Sequence, residues 1–168
     1  MYLFIGDKNQ IGVEFIFDKL LNGKTYNGYG KIWLGGNFLG SIEDSIYYDG
    51  YLLGQLQAII NCRELNIEIP TTIDGLYKFF ENIELDEKNI ISYRIFTTTF
   101  TDMYQVFAYK INNIITIVWK VIWVDTFNDI KSQEKTIFSY QFEIEKLSHI
   151  LKVLDEIQKI NFLADVPK

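Results

Sequence analysis

The chain is poor in the residues that carry most catalytic and metal chemistry. Its 168 residues include one cysteine (Cys62), one histidine (His149) and two prolines. A lone cysteine forms no internal disulfide and excludes cysteine-ligated zinc. No cysteine or serine nucleophile is placed by sequence to meet His149, which lies off the apolar stripe of its helix and is expected at the surface. Cations are also scarce: 16 Lys and Arg stand against 22 Asp and Glu, a net charge of −6. That balance argues against non-specific nucleic-acid binding, which needs clustered Lys and Arg. It suits a basic protein partner, because opposite fields steer encounter. Nucleases are often basic, so the charge leans toward one. Long apolar runs are missing as well. The longest, Ile114 to Val124, is interrupted by Thr116 and Lys120 and is too short to span a bilayer. Met1 to Ile5 is too short for a signal peptide and lacks a basic n-region, so a cytoplasmic protein is expected.

What is present describes a well-packed domain. The length fits one domain, residues 1–168, and a chain of this size buries about 70% of its unfolded surface without help from a disulfide or metal. Apolar content of 48%, with 16% aromatic, is that of a globular protein.

Ile11 to Phe17 alternates, with Ile11, Val13, Phe15 and Phe17 on one side and Gly12, Glu14 and Ile16 on the other, which predicts a half-buried strand. Asn22-Gly23 and Asn27-Gly28 are turn signals around a polar loop. Lys31 to Leu34 and Phe38 to Ile42 flank Gly35-Gly36-Asn37, a hairpin signal because Gly and Asn tolerate positive φ. The first third is thus expected to be an antiparallel meander of four strands. Tyr51 to Arg63 changes to helical spacing through Leu52, Leu53, Leu56, Ile59 and Ile60, with Asp49 as candidate N-cap. Pro70-Thr71-Thr72 opens a second helix facing Leu76, Phe79 and Phe80 inward. Strands follow at Ile90 to Thr97, Met103 to Ile111 and Ile114 to Val124, the last two joined by Asn112-Asn113. The last of these shows Ile115, Ile117, Trp119, Val121 and Trp123 on one face and Val118, Ile122 and Val124 on the other, so it is expected to be central and covered on both sides. Asp125 to Lys135 is expected as a loop and Thr136 to Phe142 as a strand. Glu143 to Ile160 is an amphipathic helix striped by Ile144, Leu147, Ile150, Leu151, Leu154 and Ile157. The fold class is α+β: largely antiparallel sheet, two short central helices and a C-terminal amphipathic helix.

The chemistry-bearing residues are few. Cys62 is expected to be structural. No GxGxxG, P-loop, HExxH or EF-hand pattern is present, and Gly35-Gly36 with Gly40 leads into a strand instead of a phosphate-binding helix. No cofactor, metal or catalytic residue is assigned. Asp7 follows Gly6 in a turn, where aspartate caps its own backbone, and Glu14 falls on the polar face of its strand. Glu43-Asp44 and Asp125/Asp129 are the pairs that could act as acid/base or metal carboxylates. Glu81, Glu84, Asp86 and Glu87 form a second acidic group, expected to be solvated. One segment has the composition of a recognition surface: Ser41 to Tyr51, expected as a connection, carries Glu43, Asp44 and Asp49 beside Tyr47, Tyr48 and Tyr51. Tyrosine gives large contact area at low entropic cost, and carboxylates pair with a basic partner's cations. The same residues would also serve as the edge of a core and a solvated face.

Gly6-Asp7-Lys8 leading to Glu14-Phe15, Tyr29-Gly30-Lys31-Ile32-Trp33 through Gly40, and Tyr51-Leu52-Leu53 to Ile60 together resemble the opening of the immunity protein 42 family of bacterial polymorphic toxin systems. The resemblance covers about the first sixty residues. It implies a small non-enzymatic antidote that binds a cognate toxin domain and occludes its active site or an adjacent surface. The family does not name the contact residues; Glu43, Asp44, Tyr47, Tyr48, Asp49 and Tyr51 rest on composition alone. Two other readings stand beside it. One is a small enzyme or ligand-binding domain using a carboxylate pair in an aromatic-lined pocket. The other is a structural subunit, a homodimer through an exposed strand edge.

Overall fold

In β2 (Ile11–Leu21) the residues Ile11, Val13, Phe15 and Phe17 are all buried while Glu14 points outward, as a strand with one face on a core requires. β1 (Tyr2–Gly6), β2, β3 (Thr25–Leu34) and β4 (Asn37–Tyr47) form an antiparallel sheet in chain order. Its register sets Ile5 opposite Val13, Val13 opposite Ile32 and Ile32 opposite Leu39, one apolar ladder across four strands. This is the expected meander. The computed structural model describes residues 1–21, 25–86, 92–95, 102–123 and 127–164, with side chains described as far as residue 160.

The turns divide. Gly35 and Gly36, both at positive φ, make a two-residue hairpin loop, and Asn37 already pairs with Leu34. Asp7 caps its turn by accepting the Asn9 N–H on Oδ1 at 2.8 Å. Asn22-Gly23 lies outside the described residues. Asn27-Gly28 is not a turn: both residues sit inside β3. A Cβ on Gly28 would lie 2.2 Å from the Ile16 carbonyl and 2.7 Å from the Phe15 ring, so the missing side chain makes room for Phe15.

Beyond β4 the chain enters a π-helical turn, Tyr48–Leu53, and continues as α1 (Gly54–Ile60). Helical structure therefore starts three residues earlier than expected and ends three earlier, and Asp49 lies in the first turn instead of capping it. Residues Arg63–Glu64 form β5, too short to carry a period. α2 (Ile73–Leu85) is capped by Thr72, whose Oγ1 accepts the Gly75 N–H at 3.2 Å. It buries Leu76, Tyr77 and Phe80, whereas Phe79 is half-buried.

The second sheet orders β5, β6 (Tyr104–Ile111), β7 (Ile114–Val121) and β8 (Ile137–Glu143). β5 pairs parallel and the others antiparallel. The strand expected at Ile90 to Thr97 falls partly outside the described residues; within 92–95 a single bridge joins Arg94 to Phe107. β7 is central and covered on both faces. Ile115, Ile117, Trp119 and Val121 enter the main core, and Val118 joins a smaller cluster with Leu76, Tyr77, Phe80, Phe107 and Tyr109. β7 stops at Val121, short of the expected Val124, and Ile122 and Trp123 are exposed at 50% and 61%. The expected loop at 125–135 contains a 3-10 turn, Lys131–Gln133, and places Ile130 in the core.

α3 (Ile144–Ala164) closes the main core with Leu147, Ile150 and Leu154. That core is continuous from the first sheet through α1 to β6, β7 and β8. Fold class is therefore α+β, with two four-stranded sheets and three α-helices among the described residues. Among the described residues no helix is long and apolar enough to cross a membrane.

Candidate functional site

The tyrosine- and carboxylate-bearing segment is a strand edge, not a connection. β4 is the outer strand of the first sheet, and its ladder to β3 breaks between two pairs, Ser41 with Gly30 and Ile46 with Gly28. Only Tyr29 separates the two positions on β3, whereas Ile42 to Ser45 separate them on β4. The extra residues push out as a bulge, which twists the edge and re-aims its side chains.

Side chains far away in sequence hold the bulge. Asp129 accepts the Ser41 hydroxyl at 2.7 Å and the Ile42 N–H at 3.0 Å. The same carboxylate pairs with Lys31 Nζ at 2.8 Å. Lys31 is buried, with its ammonium 3.8 Å from the centre of the Phe38 ring. Glu43 Oε2 accepts the Asn128 backbone N–H at 3.0 Å and its side-chain amide at 3.3 Å. Burial works against ionising Asp129, but hydrogen bonds from Lys31, Ser41 and Ile42 and the Lys31 charge outweigh it and hold the carboxyl below the usual range. Asp44 moves the other way: its own burial, then the nearby Asp102 charge, raises it. Asp102 is raised too, by burial.

The six residues expected to form a recognition surface are not all brought together. Glu43 and Tyr47 are exposed, and Asp44, Asp49 and Tyr51 are half-buried. The Tyr47 and Tyr51 rings lie 5.2 Å apart across the start of the π-helical turn. Asp49 Oδ1 accepts the Gly50 N–H at 2.8 Å and the Thr25 hydroxyl, which ties the turn to β3. Tyr48 does not belong to the surface. It is 1% exposed, packs edge-on to Phe15 at 5.0 Å, and donates its hydroxyl to the Leu154 carbonyl at 2.9 Å. Strand alternation carries Ile46 and Tyr48 inward and Tyr47 outward. Asp102, Asn128 and Asp129 border the segment in its place. Asp129 was visible in sequence only as half of a carboxylate pair, and nothing local marked Lys31 as its partner. Trp123 also sits near Asp102 in the backbone, since its main-chain N–H donates to the carbonyl of Met103 at 3.3 Å.

The other residues weighed as chemical groups have local explanations. His149 is exposed on α3. Burial pushes the Cys62 thiol up to about 11, away from the reactive thiolate. Glu14 accepts the Trp33 indole N–H at 2.9 Å and pairs with Lys8 at 3.1 Å. In the second acidic group, Glu84 is not merely solvated: it accepts the Ser92 hydroxyl at 2.7 Å and the Tyr93 N–H at 3.0 Å. Asp125 lies outside the described residues, and so does Glu87. Glu43 and Asp44 are not engaged together: Glu43 turns to Asn128, whereas Asp44 is half-buried and its carboxyl is raised by burial and then by the Asp102 charge. Among the described residues no three His, Cys, Asp or Glu side chains group as metal ligands.

No family model matches the chain, and no curated protein matches it. Among solved structures, the crystal structure of CdiI from Burkholderia dolosa AUO158 is similar, with a TM-score of 0.59 at 12% identity. The match covers 90% of this chain and 99% of that one. At that identity the likeness is one of fold: this chain has the α+β architecture of CdiI from end to end of the smaller protein.

Proposed function

We propose that the chain is an immunity protein of a bacterial polymorphic toxin system, which binds a cognate toxin domain and neutralises it by non-covalent occlusion, with no catalysis of its own. The observation that carries this reading is the fold shared with CdiI, a contact-dependent inhibition immunity protein, along nearly the whole of both chains. The resemblance of the first sixty residues to the immunity protein 42 family points the same way from sequence. In this reading residues 1–168 act as one domain in the cytoplasm and use an interface of about 1,600 Å² in total. The contact surface is the bulged edge of β4 with the turn after it: Glu43, Asp44, Tyr47, Asp49 and Tyr51, bordered by Asp102. A net charge of −6 and carboxylates gathered beside exposed aromatic rings suit a basic toxin such as a nuclease.

The enzyme or ligand-binding reading would need carboxylates converging in a cavity. A cleft of about 650 Å³ between α1 and α3 holds one carboxylate, Asp155, beside Lys152, and in a cleft of about 460 Å³ lined by Asp7, Glu145 and His149 the two carboxylates accept from Asn9 and Asn113.

Co-expression with the toxin domain encoded immediately upstream tests the proposal, scored by cell survival and co-purification. Survival with a stable complex is expected. Cell death with no co-purified toxin would overturn that pairing and bring the ligand-binding reading forward.

A further inference from the structure

The chain's only two arginines are Arg63 and Arg94, and the topology of the second sheet sets them side by side. One edge of β6 is taken by β7. The other is shared by two separate pieces of chain: β5, with Arg63 opposite Tyr109, and the 92–95 stretch, with Arg94 opposite Phe107. Residues paired across a ladder project to the same face, and residues two apart on a strand share a face. Phe107 and Tyr109 do so, both packing on Phe80 of α2 at ring distances of 5.7 and 5.3 Å. Arg63 and Arg94 therefore project to that face as well, with backbones about 7 Å apart along the strand direction. Both line a cleft of about 210 Å³ where the two pieces of chain abut, with Asn61 at its rim.

Two cations at this spacing repel each other unless an anion lies between them. Among the described residues neither guanidinium takes part in an ion pair, although the chain has 22 carboxylate side chains. Glu84 of α2 turns its Oε1 to the Ser92 hydroxyl and to the N–H groups of Tyr93 and Arg94. It thus satisfies backbone and, among the described residues, pairs with neither guanidinium.

We propose that Arg63 and Arg94 form a binding site for a small oxyanion, a phosphate dianion above all. Two planar forks on one face of the sheet edge, their backbones about 7 Å apart, can supply paired N–H donors to a tetrahedral group, a geometry in which arginine surpasses lysine. The site stands apart from the bulged β4 edge, and its test does not depend on the immunity reading.

Having only two arginines makes the test direct, because the labelled protein gives two arginine Nε–Hε signals in a proton–nitrogen spectrum. Inorganic phosphate titrated at constant ionic strength is expected to shift both signals saturably. Affinity is expected to fall about tenfold in R63Q and in R94Q, the loss of one charge-assisted contact. R63K and R94K, which keep the charge and lose the fork, are expected to bind more weakly than wild type as well. Both positions are exposed, so the backbone spectrum should be retained, and the lysine variants report on the site if a glutamine variant is not folded. Binding of O-phosphoserine alongside inorganic phosphate would identify a phosphoryl group on a larger partner as the ligand; binding of inorganic phosphate alone would identify the free anion. Shifts no larger than those from sodium chloride, or saturable binding unchanged in both glutamine variants, would overturn the site.

Discussion

Lys31 and Asp129 are 98 positions apart in sequence, and their 2.8 Å contact fastens the β4 bulge to the segment before the 3-10 turn. Lys31 is only 7% exposed, so its charge depends on that carboxylate for compensation. Asp129→Asn removes the counter-charge and leaves a buried ammonium, which is expected to cost about 2–3 kcal/mol in urea denaturation at pH 7. The pH dependence follows from the direction of the shift. The Asp129 carboxyl is lowered in the folded protein, so its stabilisation is present above the ordinary aspartate value of about 3.9 and is lost as pH falls through the lower folded value. The difference between wild type and D129N should therefore shrink as pH drops below about 4. A difference that held constant to pH 2 would show that the charge of Asp129 is not what stabilises the bulge. Tyr48 shows why the site was only partly legible at this scale. Three tyrosines within five positions look alike in sequence, and only the point at which strand alternation gives way to the π-helical turn sorts Tyr48 inward and Tyr47 outward.

Elements with a clear period were legible. β2 alternates because one face is buried, β7 is apolar on both faces because the main core covers one and α2 the other, and α3 shows its stripe because it lies on the core. Elements fixed by distant partners were not. β5 is two residues long and exists through its pairing with β6, and nothing in Arg63-Glu64 announces a strand. Ile122 and Trp123 continue an apolar run past the end of β7, which made the strand look longer than it is. Asn27-Gly28 carries a strong turn signal, yet Gly28 is there for packing: the space a side chain would need is filled by the Phe15 ring and the Ile16 carbonyl. Gly28→Ala is expected to lower stability by about 2–3 kcal/mol through overpacking, measured by thermal or urea unfolding. If the alanine protein were as stable as wild type, the Phe15 ring and the Ile16 carbonyl would not be what keeps a side chain out of position 28.

At the scale of the whole molecule, charge and shape act together. A chain with 22 acidic and 16 basic side chains attracts cationic surfaces at long range, and in the proposed reading the bulged β4 edge is where a basic toxin docks. Edge strands usually avoid contact by twisting or by carrying charge; this one does both and still leaves Tyr47 40% exposed beside Tyr51. If the proposed toxin binds there, long-range attraction should speed its arrival and short-range aromatic contact should slow its departure. The double charge reversal E43K/D44K separates the two effects. Its association rate with the toxin domain is expected to fall about tenfold at low salt and to approach the wild-type rate near 1 M salt, where the screening length is about 3 Å. Protection of cells should weaken in parallel. Glu43 also holds Asn128, so Asp44→Lys alone, which leaves that contact in place, is expected to show the same salt dependence at smaller amplitude. Rates unchanged for both variants at low salt would place the interface elsewhere on the molecule, with the fold-based reading of function left intact.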